Sequence, residues 1–489
     1  MKVKDLSKEI CSSHAVLNRH MALYDAVCAR FQADDEIRFF KAPGRVNMIG
    51  EHTDYNMCPV FPCAVDKEIL FCVRKNNSRM ITASSTDPSF KEFSFSIDDE
   101  ITPYEKGAWG NYTKAGVKGM IDFAAGDLGC SLDQLSGFDA VVSGTIPKAA
   151  GMSSSSALVV GAALVFVHMN SLDIDKIQIA ELCAEAEHFV GTAGGGMDQA
   201  ACLLGKENSF IKIDFNPLRG ELVAVPDTIS IIISHSALEA EKSGKARYEY
   251  NRRVMECRIA LALFKQFIMK NAHAYKMQAT DEEAGQISYI GDITPSHFRT
   301  DPDNLNTAVK DFINGINASY TLLALSKALD ISTDKINSTY LTIGEHEIFN
   351  EPPDGFKPKQ RFNHVYNEWK RVNDSMEALR KNDINFFGKL MDSSQESMDK
   401  DYEISTPELN RLTVCAKEAG AYGSRLTGAG FGGCVVSVID RALENDFIAA
   451  IKGSYYPWLE KSGYTLKRAY DEYIFTCTAA DGACEITLK

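Results

Sequence analysis

The alternation of apolar and polar positions along the chain predicts a mixture of helices and short strands. Apolar runs of strand length occur at 37–40, 69–74, 210–215, 229–234, 435–439 and 473–478. Apolar residues recur at helical spacing up to about residue 35, over 155–168 and 175–190, and onward from Ala246 and Pro407. The pattern therefore predicts a chain in which helices and strands interleave.

The chain has 489 residues, a length that suggests two or three domains. We place a boundary near 214–226, which divides it into an N-terminal part, 1–220, and a C-terminal part, 221–489. Within the second part, 271–358 is polar and irregular. We interpret this stretch as an inserted helical lobe.

Composition and charge narrow the classes of function. The formal net charge is −14, which argues against a nucleic-acid-binding surface but leaves small anionic ligands open. The longest plain apolar run is 11 residues, at 157–167, so no membrane span is expected. Thirteen cysteines without a CxxC motif are typical of reduced thiols, and the N-terminus has no apolar targeting region. We expect a cytoplasmic protein, plausibly a monomer.

Segment 42–56 concentrates polar chemistry directly after a predicted strand. Its sequence, APGRVNMIGEHTDYN, holds an arginine, two acids, a histidine and a tyrosine. Such clustered donors and acceptors suit a polyhydroxylated ligand, because every hydroxyl needs both a donor and an acceptor. A solvated loop would have the same composition, so both interpretations stay open.

A run of four serines, at 153–156, follows Gly151 and leads straight into a predicted apolar helix. The free amide groups and the positive end of the helix dipole favour a phosphate site, and serine hydroxyls also suit Mg²⁺. The chain has no GxxxxGK[ST] sequence, so this is not a Walker A loop. A helix N-cap with spare serines is the alternative.

Segment 191–199 places three glycines before Asp198, directly after the helix that carries Glu187. Glycines allow a close approach to a ligand, and Asp198 is then a candidate general base. Glu187 flanks the apolar stripe of its helix and is a candidate metal ligand. An ordinary turn aspartate and a surface glutamate are the alternatives.

The glycines at 428–433 match GxGxxG, but we expect a helix before them and a strand after them. Dinucleotide binding requires the opposite order, so it is discounted. We expect instead a glycine-rich turn that packs close to the phosphate region.

Together these segments resemble the sugar-1-kinase branch of the GHMP superfamily, which is named for galactokinase, homoserine kinase, mevalonate kinase and phosphomevalonate kinase. The match covers roughly residues 40–439, with the motifs in the family's order. The resemblance implies a two-lobed α+β fold with the active site in the cleft between the lobes. It also implies ATP-dependent phosphorylation of the anomeric hydroxyl of galactose, with Mg²⁺ as cofactor.

The resemblance also implies roles for individual residues. Asp198 and Arg45 match the catalytic pair. The sugar contacts are expected at Arg45, Glu51, His52, Asp54, Gly195, Asp198 and Tyr250. The nucleotide contacts are expected at Trp109, Tyr112, Gly151, Ser153, Ser154, Ser155 and Ser156. Ser155 and Glu187 fall where the family holds Mg²⁺.

Two alternatives remain open at this point. Segment 191–199 resembles a branch that contains both eukaryotic-type galactokinases and N-acetylgalactosamine kinases. Some relatives are sensors that bind sugar and ATP with scarcely any turnover, and these differ near the phosphate loop. The intact serine run favours an enzyme over a sensor.

Overall fold

The computed structural model describes residues 14–31, 36–97, 100–147, 150–191, 194–238, 245–278, 280–343 and 347–486. The helices in these ranges are α1 His14–Phe31, α2 Gly110–Gly126, α3 Ser154–Met169, α4 Lys176–Ala186, α5 Met197–Leu204, α6 Lys245–Asn271, α7 Asp281–Gly285, α8 Pro295–Phe298, α9 Pro302–Gly315, α10 Leu322–Leu329, α11 Thr333–Tyr340, α12 Pro358–Arg380, α13 Ile384–Lys400, α14 Pro407–Glu418 and α15 Glu444–Lys461. The strands are β1 Ile37–Asn47, β2 Pro62–Lys75, β3 Met80–Ser85, β4 Phe93–Ser96, β5 Phe138–Gly144, β6 Ser209–Asp214, β7 Arg219–Ala224, β8 Ile229–His235, β9 Thr342–Ile343, β10 Glu347–Ile348, β11 Gly423–Thr427, β12 Cys434–Asp440, β13 Ile474–Cys477 and β14 Cys484–Ile486. None of these helices is long and apolar enough to cross a membrane.

The first half of the chain is built on a six-stranded sheet in the order β14-β1-β2-β5-β3-β4. Its strand pairs are antiparallel except for the parallel pair β3 and β5. Side chains alternate between its faces, so Phe39 and Leu70 pack with α1 while Phe40 and Phe71 pack into the main core with α3. Helix α3 is buried around most of its circumference, as its apolar sequence requires.

A second, four-stranded antiparallel sheet, β11-β12-β8-β13, is buried on both faces. On β8, Ile231 and Ile233 join the main core, whereas Ile232 joins a second core formed with α6 and the later helices. Burial on two sides explains why the consecutive residues Ile231, Ile232 and Ile233 are all apolar.

Most of the predicted helices and strands are confirmed. The structure differs from the predictions mainly at the polar segments. The helix predicted up to residue 35 is confirmed over α1, and the rest of it lies outside the described residues. The segment expected to be a loop from residue 42 is instead strand as far as Asn47, because β1 pairs with β2 through Arg45. The glycines at 428–433 follow strand β11 rather than a helix, so they join two antiparallel strands. Helices α2, α5, α12, α13 and α15 were not predicted.

The domain division predicted at 220/221 cuts strand β7, which is paired with β6 along its length. In addition, β14 at the end of the chain pairs with β1 in the first sheet. The insertion contains helices α7–α11, as expected, but it is not an independent lobe. Phe312 and Leu325 from the insertion share one core with Phe264 and Phe362.

Candidate active site

Arg45 and Asp198 meet at the point where β1 ends and α5 begins. Arg45 donates from Nε to Asp198 Oδ1 at 2.7 Å, and its Nη2 lies 2.7 Å from the same oxygen. A further donor, Nη1, reaches the carbonyl oxygen of Gly151 at 2.5 Å. The Arg45 side chain is 6% exposed and that of Asp198 26%, so the carboxylate faces the open side and the guanidinium lies behind it.

Ser153, at the start of α3, donates its hydroxyl to the second oxygen of Asp198, Oδ2. The sequence predicts that Ser153 contacts the nucleotide, whereas in the structure its hydroxyl is hydrogen-bonded to Asp198. Ser154 and Ser155 follow as half-buried residues in the first turn of α3, and Ser156 is buried. Arg45 and Ser153 therefore fix both oxygens of the carboxylate beside the N-terminus of a 16-residue helix.

The serine loop and the glycine-rich turn after β11 lie in direct contact. A Cβ atom added to Gly151 would lie 3.0 Å from the carbonyl oxygen of Thr427, and one added to Gly428 would lie 3.0 Å from that of Gly151. Both glycines also have positive φ angles, 68° and 91°. The expected packing of this turn against the phosphate region is confirmed, and it joins the two halves of the chain.

Asp54 and Gly195 bring segment 42–56 against the loop before α5. The Gly195 amide donates to Asp54 Oδ2 at 3.1 Å, and a Cβ at Gly195 would lie 2.1 Å from the backbone nitrogen of Tyr55. Only glycine permits this approach. Residues 192–193 of the same segment lie outside the described residues.

Carboxylates gather around Tyr250 of α6. Burial, together with the nearby charge of Asp198, raises the pKa of Asp54 to about 6. Burial and the charges of Asp54, Asp198 and Glu187 raise the pKa of Tyr250 well above its usual value. The structure thus brings together Asp54, Gly195, Asp198 and Tyr250, which the sequence analysis proposed from three separate segments.

His52 is held by other parts of the protein through both ring nitrogens. Nδ1 lies 2.9 Å from the Tyr55 hydroxyl and Nε2 lies 3.1 Å from the carbonyl oxygen of Ala429. Burial lowers the pKa of His52 to about 3, so the ring is neutral. Both ring nitrogens thus have partners within the protein, and the sugar contact that the resemblance implies for His52 stays a prediction.

Glu51 is likewise turned into the protein, with 1% of its surface exposed. Its carboxylate accepts from Asn47 Nδ2 at 2.5 Å, from Arg425 Nη2 at 3.0 Å and from the Gly428 amide. Arg425 is itself fully buried and also donates to the backbone of Asn47. The structure therefore gives Glu51 a supporting role in the fold of the loop, and a direct sugar contact by it stays a prediction.

Helix α12 supports the same loop, which the sequence analysis missed. Glu368 accepts from the Gly50 amide at 2.9 Å, and His364 Nε2 lies 3.1 Å from the carbonyl oxygen of Glu51. Burial alone would raise the pKa of Glu368, but the charge of Arg371 and other neighbours lowers it to about 2. No local signal in the sequence links these residues, which lie more than 300 positions from the loop.

Glu187 is buried in a single 3₁₀ turn that follows α4. The pKa of Tyr112 is raised first by burial of its phenol and then by the charge of Glu187. The two side chains therefore lie near each other. Trp109 instead donates its indole N–H to the carbonyl oxygen of Lys91 at 2.6 Å and packs against Phe93, with ring centroids 4.6 Å apart. The structure thus places Tyr112 near Glu187 and the Trp109 indole against Lys91 and Phe93, and a nucleotide contact by either residue stays a prediction.

Comparisons with known proteins agree with this arrangement. Three family models match the chain: the galactokinase galactose-binding signature over residues 28–75, the GHMP kinases N terminal domain over 111–206 and the GHMP kinases C terminal over 375–457. The chain is 32% identical to a galactokinase of Fusobacterium nucleatum, over 88% of this chain and 92% of the relative. It is 30% identical to one of Dictyostelium discoideum, over 96% and 94%.

Solved structures share the fold. Lactococcus lactis galactokinase complexed with galactose aligns with a TM-score of 0.70 at 23% identity, covering 96% of this chain and all of that one. Methanococcus jannaschii mevalonate kinase aligns with a TM-score of 0.52 at 15% identity, covering 92% of this chain and all of that one. The two-lobed architecture expected from the sequence is therefore confirmed.

Proposed function

This chain belongs to the galactokinase family of GHMP kinases, and from that premise we propose that it transfers the γ-phosphoryl group of ATP to the anomeric hydroxyl of galactose. The product is galactose 1-phosphate. The observation that supports this most directly is the Asp198 carboxylate, which is held by Arg45 and Ser153 at the N-terminus of α3 and adjoins Asp54 and Gly195.

The sugar is proposed to lie over Asp54, Gly195 and Tyr250. Asp54 presents carboxylate oxygens that accept hydrogen bonds from hydroxyl groups, while the neutral Tyr250 phenol is able both to donate and to accept. The carboxylate of Asp54 is fixed by the Gly195 amide. A pocket with these groups offers a hexose both kinds of hydrogen-bond partner at fixed positions.

Asp198 is proposed to orient the anomeric hydroxyl and to receive its proton as the phosphorus–oxygen bond forms. Its Oδ1 is approached by both Nε and Nη2 of Arg45, whereas Oδ2 accepts from the Ser153 hydroxyl and keeps a lone pair for the substrate. The Arg45 guanidinium, fixed by Gly151 and Asp198, stabilises the negative charge on the transferring group. Positioning and charge neutralisation are the main requirements of phosphoryl transfer.

The α3 N-terminus is proposed to bind the phosphates of ATP through its backbone amides and the hydroxyls of Ser154 and Ser155. Ser155 and Glu187 would hold Mg²⁺, which neutralises phosphate charge when bound. This donor set fits that ion, since Mg²⁺ prefers oxygen ligands and takes only one or two carboxylates beside substrate phosphates. The described residues contain no cluster of three or more His, Cys, Asp or Glu side chains that would hold a metal without such phosphates.

Measuring ADP release from Mg·ATP with galactose, N-acetylgalactosamine or glucose tests the proposed function. We expect release with galactose, at a rate at least tenfold above that with either other sugar. Release only with the acetamido sugar would replace the proposal with an N-acetylgalactosamine kinase. Sugar binding without ADP from any of the three would indicate a sensor.

The pH dependence of galactose use is expected to follow Asp54. Because its pKa is about 6, the side chain gains a proton below that pH and loses acceptor capacity for sugar hydroxyls. We therefore expect kcat/KM for galactose to fall about tenfold per pH unit below 6, as measured by initial rates from pH 5 to 8. A flat profile between pH 5 and 7 would contradict this role.

Protonation of Asp54 does not itself destabilise the fold at low pH, since its linkage has the opposite sign. The native pKa of Asp54 lies above the value near 4 of an unfolded aspartate. Its contribution to the free energy of unfolding is therefore greatest below about pH 4 and declines as the pH rises through 6. The variant Asp54→Asn should lose the pH dependence of kcat/KM in this range.

A further inference from the structure

A chain of buried hydrogen bonds runs behind the sugar loop, from α6 to the glycine-rich turn. The Cys257 thiol lies 3.2 Å from the Tyr402 hydroxyl, which lies 2.6 Å from the Tyr55 hydroxyl. Tyr55 continues to His52 Nδ1 at 2.9 Å, and His52 Nε2 reaches the carbonyl oxygen of Ala429 at 3.1 Å. The chain joins four parts of the sequence that are distant from one another.

The last acceptor, the carbonyl oxygen of Ala429, determines which group donates in each of these hydrogen bonds. A carbonyl oxygen only accepts, so His52 Nε2 must carry the proton that it donates to Ala429. Because the ring is neutral, Nδ1 must then accept from the Tyr55 hydroxyl. Tyr55 in turn accepts from Tyr402, whose hydroxyl is left to accept from the Cys257 thiol. Every hydroxyl in the chain thus both donates and accepts.

The backbone around Tyr402 is held by two arginine side chains. Its carbonyl oxygen accepts from Arg253 Nε at 2.7 Å, and the carbonyl of Glu403 accepts from Nη2 of the same arginine at 2.7 Å. The carbonyl of Asp401 accepts from Arg361, which also donates to the buried carboxylate of Glu256 at 2.6 Å. Two arginines therefore hold the segment 401–403, and the Tyr402 hydroxyl projects from a rigid base.

The aromatic rings that take part in these hydrogen bonds adjoin the proposed sugar site. His52 lies 5.2 Å from both Tyr402 and Tyr250 between ring centroids, and Tyr55 lies 5.8 Å from Tyr250. The backbone that connects Asp54 with Tyr55 is the part of the loop that touches Gly195. A displacement of the Tyr55 phenol would consequently move Asp54.

We propose that Tyr402 is a positioning residue for sugar binding, which acts through Tyr55 and His52 to hold the loop that carries Asp54. This role rests on the proposed function, but it concerns a residue outside the four segments that the sequence analysis singled out. Arg45 and Asp198 are held separately, by Gly151 and Ser153. Loss of the Tyr402 hydroxyl therefore affects sugar affinity much more than the transfer step.

The test compares Tyr402→Phe with Tyr366→Phe. Tyr366 is also a buried tyrosine, but its hydroxyl donates to Asn306 of α9, away from the loop. For Tyr402→Phe we expect the KM for galactose to rise about tenfold, with kcat and the KM for ATP within about twofold of wild type. Tyr366→Phe should leave all three unchanged. Equal kinetics for the two variants would overturn the proposal.

A double-mutant cycle separates a connected chain from a general loss of stability. If Tyr55 and Tyr402 act through one hydrogen bond, Tyr55→Phe and the double variant should have nearly the same KM for galactose. Multiplication of the two single effects would overturn the proposal. The wild type is measured in the same assay, so an inactive wild type would count against the proposed function alone.

Hydrogen–deuterium exchange of residues 50–56 provides a readout that is independent of activity. Tyr402→Phe should exchange faster than wild type in this segment, and Tyr366→Phe should not. Unchanged protection of the segment in Tyr402→Phe would overturn the proposal whether or not galactose is the substrate.

Discussion

Replacing Asp198 with Asn is expected to lower galactose-dependent turnover by about 10³-fold, while the affinity for galactose changes by no more than about threefold. An amide cannot accept the hydroxyl proton, whereas the other sugar contacts remain. Interactions that strengthen in the transition state affect kcat more than ground-state binding. The Asn side chain also loses one of the acceptor oxygens that Arg45 and Ser153 hold. Steady-state ADP release and calorimetric titration with galactose measure the two quantities.

The variant Asp481→Asn serves as a control for this experiment. Asp481 pairs with Lys206 on the surface, 2.8 Å away, so its loss should leave turnover unchanged. Wild-type turnover in Asp198→Asn would refute the assignment of Asp198 to the reaction. A large loss of galactose affinity with unchanged kcat would make Asp198 a binding residue instead.

Replacing Glu51 with Ala is expected to destabilise the protein by about 3–5 kcal/mol, because the fully buried Arg425 is left without its counter-charge. The Asn47 side chain and the Gly428 amide lose an acceptor at the same time. Denaturant unfolding of the variant measures this loss. If Glu51 were primarily a sugar contact, the unfolding midpoint would stay near wild type and only galactose binding would weaken.

The double variant Glu51→Ala with Arg425→Met identifies the cause of this instability. Removing the second charge replaces an unpaired buried ion with an apolar side chain. We therefore expect the double variant to be more stable than Glu51→Ala alone. If it is no more stable, the lost packing around Glu51, and not the uncompensated charge, accounts for the effect.

The segments that form the site were identified from the sequence because each has a local signal. Asp198 follows three glycines, and the serine run precedes an apolar helix. Each of these signals is contained in about 15 consecutive residues and can be read without the fold. The same holds for Asp54, which lies in a short stretch rich in polar groups. The roles of Ser153, His52 and Glu51 within these segments had no such signal, since their partners come from elsewhere in the chain.

The contacts that supporting helices make with the site also leave no local signal in the sequence. Helix α12 was not predicted, and its Glu368 and His364 hold the loop through backbone atoms of Gly50 and Glu51. A backbone amide or carbonyl is present at every residue, so no residue type in the loop records such a contact. Tyr402 is equally inconspicuous in the sequence, because its hydroxyl has a function only where Tyr55 is brought to it.

The sequence by itself determined the family, the order of the motifs and most of the elements that carry them, because these depend on residues close together in the chain. It also predicts how a chain of net charge −14 would bind phosphate, through amides and a local arginine. Only the tertiary structure decided which of the polar side chains line the proposed sugar site and which support the loop. That choice depends on burial and on partners hundreds of residues away, such as Arg425 for Glu51 and Ala429 for His52.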